Sequence, residues 1–153
     1  MAYLKYGPSG GVGGDIFDPI IPQDQKPGWK IREIKVTSES LINQIQLEWE
    51  NQKNEIQDSP VIGSYDGGNK DEFDIVSDDY LVIVKGSVVQ GDSGAIYVSS
   101  LQFTTNTGIT SPIFGNPTSE VFSYQAPPGF QIIGIFGRAG GFIDALGVYI
   151  NNI

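Results

Sequence analysis

Asp144 closes the stretch Gly140-Gly-Phe-Ile-Asp144, where a carboxylate follows two adjacent glycines and stands in an apolar run that continues to Ile150. An ionised carboxylate in such a run needs partners, because burying it bare is costly. Backbone N–H groups can supply them, or a ligand can, and the residues leave both open. The chain contains no cysteine and no histidine. That excludes Ser-His-Asp and Cys-His catalysis and zinc sites built on His or Cys. Carboxylate chemistry, oxygen-ligated metals and non-covalent recognition remain. A two-carboxylate glycoside mechanism would require an acidic partner for Asp144, and Asp15 and Asp18 are the candidates. The acidic residues Asp71, Glu72, Asp74, Asp78 and Asp79 do not follow the spacing of a calcium loop and read as a solvated face. No metal and no cofactor are expected.

The elements that must hold Asp144 read as strand, tight turn, strand. Ile132, Ile133, Ile135 and Phe136 form the first apolar run, and Phe142 to Ile150 the second. Arg138-Ala-Gly-Gly141 turns the chain between them, the glycines permitting positive φ. Arg138 reads as a solvent-facing strand residue or a structural ion pair. Upstream, Trp29 to Val36 alternates apolar and polar residues but slips once near Arg32-Glu33, which predicts a β-bulge. Ile45, Leu47 and Trp49 alternate with polar residues as in a half-buried strand, and both tryptophans read as core. Ala95, Tyr97, Ser99, Leu101 and Phe103 share one face of another strand. Gly86 to Gly94 reads as a loop or broken strand. Gly7 to Asp15 holds five glycines in nine residues and reads as a loop.

The pattern predicts an all-β fold of roughly ten to twelve short strands at spacings of about 8–12 residues, with no convincing helix. Glycine-rich turns at 10–14 and 67–68 lie about fifty residues apart, each ahead of an acidic, Phe-containing strand, which hints at a repeat of a third of the chain. Packing several small sheets around one core, or closing a barrel, would remove exposed edges. The length suits a single domain over 1–153.

The net charge of −9 argues against nucleic acid and anionic membrane surfaces as partners. No apolar run reaches transmembrane length, and the first residues lack a signal-peptide layout. The expected location is cytoplasmic, or outside the cell after non-classical release.

Several stretches together resemble the jacalin-related lectins. These are Gly10-Gly-Val-Gly-Gly14 with Phe17-Asp18, Leu101-Gln-Phe-Thr-Thr-Asn106, Phe114-Gly115 and, most specific, Gly134-Ile-Phe-Gly-Arg-Ala-Gly-Gly-Phe-Ile-Asp-Ala-Leu-Gly-Val-Tyr-Ile150. The similarity runs in order over nearly the whole chain. It implies a β-prism: three four-stranded Greek-key sheets around a pseudo-threefold axis. It also implies a sugar site at a G-x-x-x-D motif, matched here by Gly140, Gly141, Phe142 and Asp144, beside the glycine-rich loop ending at Gly14. By resemblance, the Asp144 carboxylate accepts from the O4 and O6 hydroxyls of a hexopyranose. The N–H groups of Gly141 and Phe142 donate to the ring oxygen and O6, and that of Gly14 to O3.

The family's galactose binders carry a freed amino-terminal glycine at the opening loop, whereas residues 1–9 precede Gly10 here. Mannose- or glucose-containing glycans are therefore the expected partners, bound without catalysis. Weak single sites call for avidity, so a homodimer or higher oligomer is expected. Glu39 and Asn43 stand where a second family site would have Gly and Asp, so one site per chain is expected. A protein-interaction or targeting module with a silent sugar site is the alternative. Read alone, an Asp beside Gly-Gly is more often a turn residue; the whole terminal stretch reverses that.

Overall fold

The computed structural model describes residues 3–22, 28–76 and 78–153. Twelve strands follow one another: β1 (Leu4–Gly10), β2 (Asp15–Phe17), β3 (Lys30–Ser38), β4 (Ile42–Glu50), β5 (Ile56–Asp58), β6 (Asn69–Asp74), β7 (Leu81–Gln90), β8 (Ile96–Thr105), β9 (Phe114–Gly115), β10 (Val121–Gln125), β11 (Phe130–Ala139) and β12 (Ile143–Asn152). They form three antiparallel four-stranded sheets, ordered β1-β12-β11-β2, β5-β4-β3-β6 and β10-β7-β8-β9. Each sheet is a long central hairpin flanked by two shorter strands, and together they make the β-prism.

Alternation explains which faces meet. Ile45, Leu47 and Trp49 of β4 are almost fully buried, while Gln44, Gln46 and Glu48 between them stay half-exposed. Ile34, Val36, Leu81, Val84, Leu101, Phe103, Ile132, Ile135, Leu146, Val148 and Ile150 join the same core from all three sheets. Each such side chain contributes about 1.5–3 kcal/mol on burial. Trp49 also ties two sheets together, since its indole N–H donates to the Ile133 carbonyl at 2.8 Å. The outer strands are thinly anchored. In β6 only Phe73 is buried, and Lys70, Asp71, Glu72 and Asp74 give that edge charges that discourage pairing with another chain.

Every central hairpin carries two register shifts. Those near the open ends leave Arg32, Val82 and Ile133 as extra residues, and the first is the bulge expected near Arg32-Glu33. Those near the turns leave Asn43, Ser99 and Asp144 as extra residues. Three equivalent glycines lie against them. Gly10, Gly63 and Gly115 all have positive φ, and a Cβ on any of them would run into the carbonyl oxygen of Asp144, Asn43 or Ser99 respectively. The internal repeat is real, and β2 and β6, the two acidic Phe-containing strands, occupy equivalent outer positions.

Three expectations change. β1 extends to Gly10, so only residues 11–14 form the glycine-rich loop. β7 runs unbroken through Gly86 to Gln90; the Phe122 ring occupies the space where a side chain at Gly86 would stand. The single face expected for β8 breaks at the Ser99 bulge, so Val98 is buried with Leu101 and Phe103.

The outer face of the β5-β4-β3-β6 sheet holds an unexpected arrangement. Asp58, Glu48, Glu33 and Asp74 lie directly opposite one another across all four strands. Like charges so placed repel. Arg32 pairs with Glu48 at 3.0 Å and Lys35 with Glu33 at 3.7 Å. A hydrogen bond with Asp74, then burial and the Glu72 charge, push Glu33 up to about 7. Burial, then a hydrogen bond with Asp58, push Glu48 up as well.

Two outcomes are expected. Glu33 binds its proton more tightly when folded than at its ordinary 4.5, so its contribution to stability is fully present below 4.5 and is lost as pH rises towards 7. Thermal melts should show a midpoint a few degrees lower at pH 8 than at pH 5, and Glu33→Gln should flatten that slope. Trp49→Phe leaves the Ile133 carbonyl without its donor and should cost about 1–3 kcal/mol, read as a lower denaturant midpoint with an unchanged m-value.

Candidate functional site

The turn of the β11–β12 hairpin and the loop after β1 meet at one end of the prism. Gly140 N–H donates to the Phe142 carbonyl at 3.0 Å, which closes the turn. Asp144 follows as the bulge residue: Arg138 pairs with Ala145 and Ala139 with Ile143, leaving Asp144 unopposed. A bulge re-aims the side chain it carries. This explains how a carboxylate sits within an apolar strand without entering the core.

The glycine-rich loop is fastened to the bulge from the other side. Gly11 N–H donates to the Asp144 carbonyl at 2.8 Å. A Cβ on Gly13 would stand 2.8 Å from Asp144 Oδ2. One on Gly14, whose φ is +68°, would stand 2.7 Å from Asp144 Oδ1 and 2.5 Å from the Ala139 carbonyl carbon. Only bare backbone fits beside the carboxylate there. Gly14 and Gly140 also lie close, whereas Gly141 is exposed with open space around it.

Gly14, Gly140, Gly141, Phe142 and Asp144 are thus gathered in one place. Asp144 is 5% exposed. Burial pushes its carboxyl above the ordinary range, while a backbone hydrogen bond from Gly140 and the Arg138 charge oppose that rise. Neither Asp15 nor Asp18 is among the groups acting on it. Asp15 lies opposite Ala139 on β2, and Asp18 accepts a hydrogen bond from the Tyr149 hydroxyl at 2.8 Å. Among the described residues no paired carboxylate is built around Asp144.

Two contributions escaped the sequence. Arg138 forms no ion pair among the described residues. Its guanidinium donates to the carbonyls of Gly13 at 3.0 Å and Gly14 at 2.8 Å, clamping the loop onto the hairpin. Phe142 is half-buried, with its ring 5.4 Å from Tyr65 and 5.9 Å from Tyr97. Tyr97 belongs to β8 and Tyr65 to the connection between β5 and β6, and Tyr65 N–H donates to the Gly141 carbonyl at 2.9 Å. The Gly-Gly turn is therefore braced by partners far away in sequence.

The other two ends of the pseudo-threefold differ. Asn43 replaces the carboxylate in one, and its amide is tied to the Gly67 carbonyl at 2.9 Å. Ser99 replaces it in the other, hydrogen-bonded to Ser87 at 2.7 Å.

The family described as Jacalin-like lectin domain matches residues 6–149. The chain belongs to the jacalin-like lectin family. Horcolin of barley (Hordeum vulgare) is 30% identical over 147 residues, covering 96% of each chain. Wild-type Malaysian banana lectin has a TM-score of 0.82 at 29% identity, covering 99% of this chain and 100% of its own. A mannose binding jacalin related lectin from Ananas comosus gives 0.83 at 26% identity, with 99% of both chains covered. Jacalin-like lectins are non-catalytic carbohydrate-binding proteins, and this chain is a carbohydrate-binding lectin on the jacalin β-prism scaffold.

Removing the Arg138 clamp tests how the loop is held. Arg138→Ala should leave the fold intact but speed hydrogen exchange of the Gly11 amide about tenfold, the equivalent of roughly one net hydrogen bond.

Proposed function

We propose that this jacalin-like lectin binds mannose- and glucose-type hexopyranosides non-covalently between the Gly140–Asp144 turn and the glycine-rich loop. The observation that carries the reading is the bulged Asp144 carboxylate, set against bare glycine backbone at an exposed end of the prism. A carboxylate offers two strong acceptors to vicinal hydroxyls. The N–H groups of Gly14, Gly141 and Phe142 take no part in the turn's own hydrogen bonds, and they are suited to donate to sugar oxygens. In this reading Asp144 accepts from O4 and O6, Gly141 and Phe142 donate to the ring oxygen and O6, and Gly14 donates to O3. Gly140 shapes the turn.

Two further points favour mannose and glucose over galactose. Gly10 continues directly from β1, which pairs with β12, so no free amine stands at the loop. The Ananas comosus relative is described as mannose binding. A single shallow site of this kind should bind a monosaccharide in the millimolar range, about −4 kcal/mol. Assembly into a homodimer or higher oligomer then supplies useful avidity.

Calorimetric titration with methyl α-mannoside and methyl α-galactoside tests the reading. Weak binding of the mannoside is expected, lost in a folded Asp144→Ala variant. Affinity should fall as the pH is lowered through the raised Asp144 value, because the protonated carboxyl loses acceptor strength. Binding that survives in Asp144→Ala, or no binding of either sugar, would reduce Gly14 and Asp144 to turn residues.

A further inference from the structure

The β10-β7-β8-β9 sheet carries an open groove of about 250 Å³, room for a small ligand only. Strand register places its parts. Ser123, Lys85 and Gln102 lie opposite one another on β10, β7 and β8. Val121, Ser87 and Ser100 form the next row on the same face, about 7 Å further along the strands. Ile113 and Pro117 complete the apolar wall. The groove is reachable: Val121 is 75% and Ile113 52% exposed, and Lys85, Pro117 and Ser123 also face solvent. Single exposed apolar residues are ordinary, but these three border one hollow.

The polar groups beside the apolar wall are already engaged. The Ser87 hydroxyl bonds those of Ser99 at 2.7 Å and Ser100 at 2.6 Å, and accepts from the Thr118 N–H at 3.2 Å. The Thr118 hydroxyl donates to the Val88 carbonyl at 2.7 Å. The Gln102 amide donates to the Ser111 carbonyl at 3.0 Å. A ligand rich in hydroxyls finds few partners here, whereas an apolar group needs none.

The other end of the groove is cationic. Lys85 is the one charged side chain among the described residues lining it, and among the described residues it forms no ion pair. The neighbouring β5-β4-β3-β6 sheet holds Asp58, Glu48, Glu33 and Asp74 in one row, so Lys85 stands on a face of different character in a chain of net charge −9. Salt screens carboxylates further than about 8 Å away, and the ammonium acts on an anion at contact. Ser123, directly opposite Lys85, adds a hydroxyl that can donate to the same anion. A cation is repelled by Lys85.

We infer that this groove binds a small monocarboxylate with an apolar tail, its carboxylate beside Lys85 and Ser123 and its tail against Val121, Pro117 and Ile113. The distance between the two rows suits a short alkyl chain. The site is independent of Asp144 and of sugar.

The test is an NMR titration of the isotope-labelled full chain with octanoate, set against octanol, acetate and octylammonium at the same concentrations. Octanoate should shift the Lys85, Val121 and Ser123 amides and saturate, at least tenfold more tightly than the other three. Lys85→Gln should weaken octanoate about tenfold, to the level of octanol, and Val121→Ser should weaken it several-fold; both are exposed changes outside the core. Binding to wild type should fall as salt is raised. Equal response to octanol would show that no carboxylate is recognised, and equal response to acetate that no tail is; either result overturns the inference. So would undiminished octanoate binding in Lys85→Gln, or shifts spread equally over other exposed apolar residues such as Ile16 and Ile20. Titrating methyl α-mannoside into Lys85→Gln keeps the two sites apart: its outcome bears on Asp144 alone.

Discussion

The close approach of a glycine to a bulged carbonyl governs this structure. Each central hairpin holds one residue too many just past its turn, and the extra peptide unit pushes outward. The flanking segment can lie against it only where it has no Cβ, at Gly10, Gly63 and Gly115. In the sheet that carries Asp144, the Gly11 N–H also bonds the carbonyl so exposed. The contact fixes the flanking segment beside the hairpin and throws the side chain of the bulged residue towards the end of the prism. Without the bulge, the strict alternation of β12 would send a residue at 144 either into the core or onto the outer face.

The same device occurs three times, but the chemistry occurs once. Asn43 and Ser99 occupy the positions equivalent to Asp144, and both are bound to neighbouring groups. Only Asp144 is a carboxylate, and only its loop brings two further glycines, Gly13 and Gly14, within contact of the carboxylate oxygens. The scaffold supplies three equivalent shelves, and side-chain identity decides which one carries a carboxylate. Bracing follows the same division. Arg138 holds the loop by its carbonyls, and Tyr65 of the β5–β6 connection and Tyr97 of β8 hold Phe142. An end built from weak turns becomes firm because segments of all three thirds of the chain contribute to it.

Much of the architecture was legible from local pattern. Ile45, Leu47 and Trp49 announced a half-buried strand, the slip at Arg32-Glu33 announced a bulge, and Gly140-Gly141 announced a turn, because these features arise from residues adjacent in the chain. The glycine-rich turns carry one trace of the repeat. A clearer trace lies in Ser59-Pro60-Val61-Ile62-Gly63 and Ser111-Pro112-Ile113-Phe114-Gly115, which are equivalent segments. Each serine hydroxyl accepts from a strand amide, of Leu47 at 2.9 Å and of Phe103 at 3.0 Å.

By itself, then, the sequence determined the strand-rich class, most of the core faces and the turn at Gly140-Gly141, because alternation and turn chemistry are local; that Gly14 belongs beside Asp144 was implied by the family resemblance alone. Tertiary structure alone decided that Asp144 is a bulge residue, that Arg138 clamps carbonyls and not a carboxylate, and that Asp58, Glu48, Glu33 and Asp74 form one row. Register between strands sets each of these. Register is a property of pairs of segments, fixed by the fit of the whole core, and it leaves no mark on either segment read alone.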